Sequence, residues 1–341
     1  MGLDAAAFSP KEFGLAIQAE ATIGTQVTTG MTRVNVDSVE MPGFNLTQVM
    51  EARSGSSGRL SDADDVFVSD KGTVKEISFS GICDTVVLPL LIQNSLATAI
   101  SSDVTTITSS YTPAELENGE ASGIQKTFTL AILAPTTTSD ASPAVATNRN
   151  MCFPGCTITS LSITGSMDDE SGRLKFSATA QTGYQATYNQ GSVTVSTAYG
   201  GTFYSLATLS GAKTIAGATD SVVQSFSLNI ENPSFYSGQS DNNGNPDAIA
   251  RAIPELNIGM DATVKYDDNT AGYMNAYKSG SNAATLLCND SGLSQNGTTF
   301  GFEAANGRIT SVGFNEANAM MLDVSTKFVV SGSTDFFAIH T

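Results

Sequence analysis

Three groups of acidic residues are spaced closely enough to work together: Asp62, Asp64 and Asp65; Asp168, Asp169 and Glu170; and Asp267 with Asp268. Paired carboxylates can cleave a glycosidic bond, one giving a proton while the other attacks or activates water. All three groups lie among turn-forming residues, so they read as solvated turn or cap acids. Cys152-Phe-Pro-Gly-Cys156 is a C-x3-C pair, which is half of a zinc site. No second pair accompanies it, since Cys83 and Cys288 stand alone. Buried thiols and a 152–156 disulfide both fit the spacing. The single histidine, His340, is expected in a frayed terminus, which removes Ser-His-Asp and Cys-His designs. Asp241-Asn-Asn-Gly-Asn-Pro-Asp247 offers hard oxygens in the manner of a calcium loop, but the twelfth position is Ala252 instead of Glu. An ordinary polar loop is the simpler reading. No Walker loop and no G-x-G-x-x-G after a strand is present. With no tryptophan, a sugar-binding platform is disfavoured. The expectation is a chain that is not an enzyme and holds no metal or cofactor.

The elements that must carry these residues are strands. Serine, threonine, glycine and alanine are abundant, and only 14% of the 341 residues are charged. That is a β-rich, turn-rich profile. No apolar run approaches the roughly 20 residues of a membrane span. Met1-Gly2-Leu3-Asp4 lacks a basic-then-apolar leader, which predicts synthesis in a cytoplasm. The formal charge of −17 argues against wrapping nucleic acid and would suit a surface past which DNA slides.

Alternation predicts strands at 13–23, in two pieces of 33–50 broken at Pro42-Gly43, and at 73–81, 125–134, 156–164, 173–182, 221–230 and 255–266. Shorter ones are expected at 193–197, 283–288, 298–304, 307–314 and 324–332. Val222, Phe226, Leu228 and Ile230 share one face of their strand, and Leu256, Ile258, Met260, Val264 and Tyr266 share one face of the next. Residues 155–183 read as a hairpin, and Asn306-Gly307 reads as the tight turn of another. Asp84-Thr85 predicts a cap for a helix over 86–97, with Val86, Val87, Leu90, Leu91 and Asn94 on one face. Asp267 to Thr270 predicts a cap for a second helix over 270–278, sticky at Tyr273, Met274 and Tyr277. Strand, acidic cap and helix thus occur twice, at 73–97 and 256–278. This suggests one domain over 1–341 with two strand-plus-helix repeats at about 13–100 and 155–290. The polar tracts 101–122 and 135–150 read as loop insertions. The Gly/Ser-rich tract 52–65 reads as a flexible arm.

Several stretches resemble one family. They are Glu20-Ala-Thr-Ile-Gly-Thr25, the hairpin Gly155–Gly165 with Leu174–Thr179, Val222–Ile230, and Met260–Asp268. Their chemistry and order resemble the tail tube (major tail) proteins of long-tailed bacteriophages. The resemblance runs from Gly155 to Leu287, and more loosely from Phe13 to Ala97. It implies a β-sandwich or barrel-like tail tube fold with one or two short flanking helices. It also implies a structural virion protein in the phage tail, whose hexameric rings stack into a conduit for DNA ejection. Its partners would be further copies, the tape measure and terminator proteins, a sheath in contractile tails, and genome DNA passing without specific binding. On that reading Arg53, Arg59, Asp62, Asp64 and Asp65 are candidates for inter-subunit contact, and Glu76, Asp168 and Asp169 for the lumen. The alternative is a surface-exposed β-sandwich binding module or capsid decoration protein.

Overall fold

The computed structural model describes residues 13–40, 47–50, 66–69, 73–96, 105–107, 127–134, 150–195, 201–238, 244–246, 248–251, 255–268, 270, 272–293, 300–317, 320–329 and 336–341. Along the chain run β1 (Gly14–Ala19), β2 (Thr32–Val34), β3 (Val36–Val39), β4 (Thr47–Met50), β5 (Val66–Ser69) and β6 (Lys75–Ile82). Helix α1 (Val87–Leu96) precedes β7 (Thr105–Ile107), β8 (Phe128–Leu133), β9 (Asn150–Ser166), β10 (Lys175–Thr182) and β11 (Thr187–Gln190). Then come β12 (Lys213–Ile215), β13 (Ala218–Thr219), β14 (Val223–Glu231), β15 (Phe235–Ser237), β16 (Ala248–Ala250) and β17 (Asn257–Lys265). Helix α2 (Tyr273–Ser279) leads to β18 (Thr285–Cys288), β19 (Gly301–Ala304), β20 (Gly307–Phe314), β21 (Met321–Phe328) and β22 (Phe337–His340). The fold is mainly β with few helices, and every strand pairing is antiparallel.

The principal sheet has the order β3-β6-β10-β9-β14-β17-β21-β20. Strand β9 is 17 residues long and serves two neighbourhoods. Its second half pairs with β10 and β14, while its first half pairs with β11 and with β8, beyond which lie β1 and β2. The change falls at Pro154-Gly155. Proline has no N–H for a ladder, and Gly155 takes φ +64°. A second sheet runs β13-β12-β18-β19-β22-β7. The two sheets meet through aromatic rings: Phe226 lies 5.9 Å from Phe302, and Phe337 lies 6.4 Å from Phe302 and 5.9 Å from Phe328. Alternation builds this core, as Ile77 and Phe79 of β6 point in while Glu76, Ser78 and Ser80 point out.

Several expectations are corrected. The first strand ends at Ala19, and Glu20 turns into the core. The first half of β9 extends the expected strand 156–164 back to Asn150 and so absorbs Cys152. A bulge between Val223 and Ser225 shifts the alternation of β14, so Val223 is buried and Val222 is 51% exposed. Of 193–197, the described residues 193–195 hold an isolated bridge, Met31 to Val195. Helix α1 buries Val87, Leu88, Leu91, Ile92 and Leu96, a face rotated from the one expected, with Val86 outside. Asp84 does cap it, its Oδ1 accepting from the backbone N–H of Val86 and Val87 at 2.9 and 2.7 Å. Asp267 instead accepts from Thr270 in the turn ahead of α2, whose N-terminal flank is Gly272. Only Tyr273 of its sticky side is buried. His340 is no frayed end, since it is paired in β22 with Gly301.

Asn306-Gly307 turns no hairpin. Strand β19 pairs with β18 and β22, whereas β20 pairs with β21, so the dipeptide crosses between sheets. Gly307 is not among the positive-φ residues, as a type I′ turn would require. Its lack of a side chain is used for close approach, since a Cβ there would lie 2.6 Å from Thr326 Cγ2 and 3.0 Å from the Ala283 oxygen. Gly307→Ala should therefore lower stability by about 1–3 kcal/mol. The check is a lower denaturant midpoint at unchanged slope.

The chain is also built twice. Among the described residues β1 to β6 with α1 correspond to β12 to β17 with α2, and β8, β9, β10 and β11 correspond to β18, β19 with β20, β21 and β22, while β7 has no counterpart and pairs with β22. In both halves the first two strands pair with each other, and the fourth and fifth form a separate hairpin. The third, sixth, ninth and tenth strands enter the principal sheet in spatial order third-sixth-tenth-ninth, and the helix follows the sixth. The halves span Gly14–Gln190 and Lys213–His340. The 155–183 hairpin lies within the first of these two stretches.

Candidate assembly face

One side of the principal sheet packs on the core and α1. Among the described residues no element packs on the other side, and the period-two alternation populates it with short polar side chains. Ser80, Ser177, Ser162 and Asn229 form one row across β6, β10, β9 and β14. Thr164, Ser227, Asp261 and Ser325 form another across β9, β14, β17 and β21. Hydrogen bonds tie neighbouring strands: Ser38 to Ser80 at 2.8 Å, Ser78 to Thr179 at 3.2 Å, Ser162 to Asn229 at 2.8 Å, and Thr263 to Asp323 at 2.7 Å. Such pairs contribute roughly 0.2–1 kcal/mol each. Charge on this sheet is mixed, with Asp37, Glu40, Glu76, Glu231, Asp261 and Asp323 set among Lys175, Lys265, Arg308 and Lys327. A concavity of about 290 Å³ between β14, β17 and β21 is lined by Ser225, Ser227, Asp261, Thr263, Asp323 and Ser325.

Of the residues expected to matter, Glu76 lies on this face, with Gln181 donating to it at 3.3 Å. Asp168 and Asp169 lie beyond the strands, at the tip of the β9–β10 hairpin. There Asp169 pairs with Lys175 at 2.7 Å, and Glu170 pairs with Arg173. Cations thus engage two of these three acids. Arg53, Arg59, Asp62, Asp64 and Asp65 fall outside the described residues, as do most of 101–122, 135–150 and 241–247. All four cysteines are free and buried. Burial pushes the Cys152 thiol up to about 12 and also raises the Cys83 and Cys156 thiols, which disfavours the thiolate at these three positions. The Cys156 thiol donates to the Phe153 carbonyl at 3.2 Å. Among the described residues, no three His, Cys, Asp or Glu side chains gather to hold a metal.

The sheet ends differ. Val222, Tyr266, Phe314 and Met320 are all about half exposed or more and lie at the end where β14 and β21 begin and β17 and β20 finish. The rings of Tyr266 and Phe314 meet edge-on at 5.4 Å. Val222 and Tyr266 were expected on the packed faces of their strands, but each lies just outside its strand and is exposed.

Two buried ionic groups were also missed. Glu20 accepts from the N–H of Gly24 and Gly155 at 2.9 Å each, from the Thr129 hydroxyl at 2.7 Å and from the Thr127 hydroxyl. Arg251 donates to the carbonyls of Asn94 and Ser95 at 2.8 and 2.9 Å, to Ser234 Oγ at 2.9 Å and to the Ile158 carbonyl. Both act inside the fold. No protein-family model and no curated protein sequence matches the chain.

Proposed function

We propose that this chain is a structural subunit whose copies join edge to edge into rings, and that the rings stack into a tube of the phage tail-tube kind. The observation that carries the reading is the principal sheet. It is antiparallel, has one bare polar face, and ends in two described edges, β3 and β20, each paired on one side. Its eight strands alternate in direction, so β3 and β20 run oppositely. A second copy can therefore continue the ladder antiparallel without a parity fault. Ring closure would cover edges that otherwise invite aggregation. The bare face then lines the bore. Its hydroxyls and mixed, slightly acidic charge would let DNA pass with few lasting phosphate contacts. The apolar rim supports stacking of rings end to end.

The alternative, a binding module or capsid decoration protein, is favoured by one observation, the Asp261–Asp323 concavity. Negative-stain microscopy of the purified protein separates the two. Rings or tubes of uniform bore are expected. A monomer that persists at high concentration sinks the tube reading and leaves the binding module.

A further inference from the structure

The molecule carries a template for its own contact between copies. Strand β9 is the ninth strand of the first half and β14 is the third strand of the second. They pair across the middle of the principal sheet, from Ser225 opposite Ser166 to Glu231 opposite Ser160, and so join the two halves within one chain. The corresponding strands at the outside are β20, ninth of the second half, and β3, third of the first. Among the described residues β20 pairs with β21 alone and β3 with β6 alone.

We infer that β20 of one copy pairs antiparallel with β3 of a second copy as β9 pairs with β14 within the chain, and that three copies close the ring. The inference rests on the tube reading above and on the six units around the bore that the resemblance implies; each chain would supply two of them. The inter-copy seam then repeats the internal seam, and all six junctions of the ring are near-equivalent. This replaces the six-copy ring expected from the resemblance.

Chemistry at the two edges is compatible with pairing. Strand β3 and the residue after it expose Asp37 and Glu40, while β20 exposes Arg308. Isolated β3 is only four residues long and is bulged between Val36 and Ser38, features that blunt an edge until a partner arrives. Size points the same way. Strands about 4.8 Å apart and tilted about 40° close, at twenty-four strands, into a barrel about 50 Å across its backbone. Forty-eight strands from six copies would span about 100 Å on the same arithmetic, and a single duplex would pass unguided.

Native mass measurement of detergent-free rings, released from stacks by high salt, tests the count. The expected mass is about three times the chain's 35.3 kDa, with a sixfold-like image. Hydrogen exchange tests the seam, because backbone amides of 36–40 and 307–314 should exchange at least about 100-fold more slowly in rings than in single copies. Amides of 223–231 should hardly change. Rings of six copies, or rings in which both edges exchange as in the single copy, overturn the inference and leave the tube reading standing. A chain that forms no ring overturns both.

Discussion

Replacing Arg251 with methionine should cost the fold about 3 kcal/mol or more, the largest loss expected from a single side chain here. Arg251 is 3% exposed and follows β16, yet its guanidinium reaches the last turn of α1 and the middle of β9. It satisfies the carbonyls of Asn94 and Ser95, which a helix C-terminus leaves without partners of its own. The cation also complements the negative end of the helix dipole. Asn232 donates to the Ser95 carbonyl as well, at 2.8 Å, so the substituted protein keeps one of these ties. The other carbonyls would be buried unpaired, each costing about 1–3 kcal/mol. Lysine should restore less than half the loss, because one ammonium cannot span the fork of acceptors. Chemical denaturation of wild type, Arg251→Met and Arg251→Lys checks this. Equal midpoints for all three would show that the network is replaceable by water.

Removal of the Glu20 side chain should be nearly as costly, and it should also change how stability depends on pH. The carboxylate gathers the β1 end, the turn at Gly24, β8 and the kink in β9. Glu20→Ala leaves two fixed backbone N–H donors and two hydroxyls facing one another, for an expected loss of about 3–4 kcal/mol. Burial raises the carboxyl pKa above its ordinary value, against the lowering effect of the hydrogen bonds from Thr127, Thr129, Gly155 and Gly24. The sign follows from linkage. A group that holds its proton more tightly when folded stabilises the fold at pH below its unfolded value, and that contribution fades as pH rises through the folded value. Wild type should thus lose part of its stability as pH rises from about 4 toward neutrality, and Glu20→Gln should flatten that component. Thermal midpoints from pH 4 to 7 for both proteins are the measurement. An unchanged slope in Glu20→Gln would mean that the carboxyl titrates alike in both states.

Much of the fold was legible residue by residue. Phe226, Leu228 and Ile230 announced the buried face of β14, and Ile258, Met260 and Val264 that of β17, because alternation depends only on neighbours along the chain. Asp84 announced the start of α1 for the same reason. The doubling was visible as two strand-plus-helix units, but its bounds were not. Both halves carry interchangeable serine- and threonine-rich strands, so the 155–183 hairpin could be assigned to either. Asn306-Gly307 misled because a dipeptide suited to a tight turn is equally suited to a crowded crossing, and the crowding comes from Thr326 and Ala283. Glu20 and Arg251 were illegible as a pair of clamps. The partners of Glu20 lie as far as 135 positions away and those of Arg251 as far as 157.

By itself the amino-acid sequence determined that the chain forms antiparallel β structure, which side of most strands is greasy, and that the other side is a lawn of small hydroxyls. Those properties are set within two to four residues. Only the tertiary structure decided which strands are neighbours, where bulges at Val223 and a bend at Gly155 exchange the faces, and which two edges are left over. Amphipathic strands of like pattern can pair in many orders at similar local energy. The order is selected by long-range closure of one shared core.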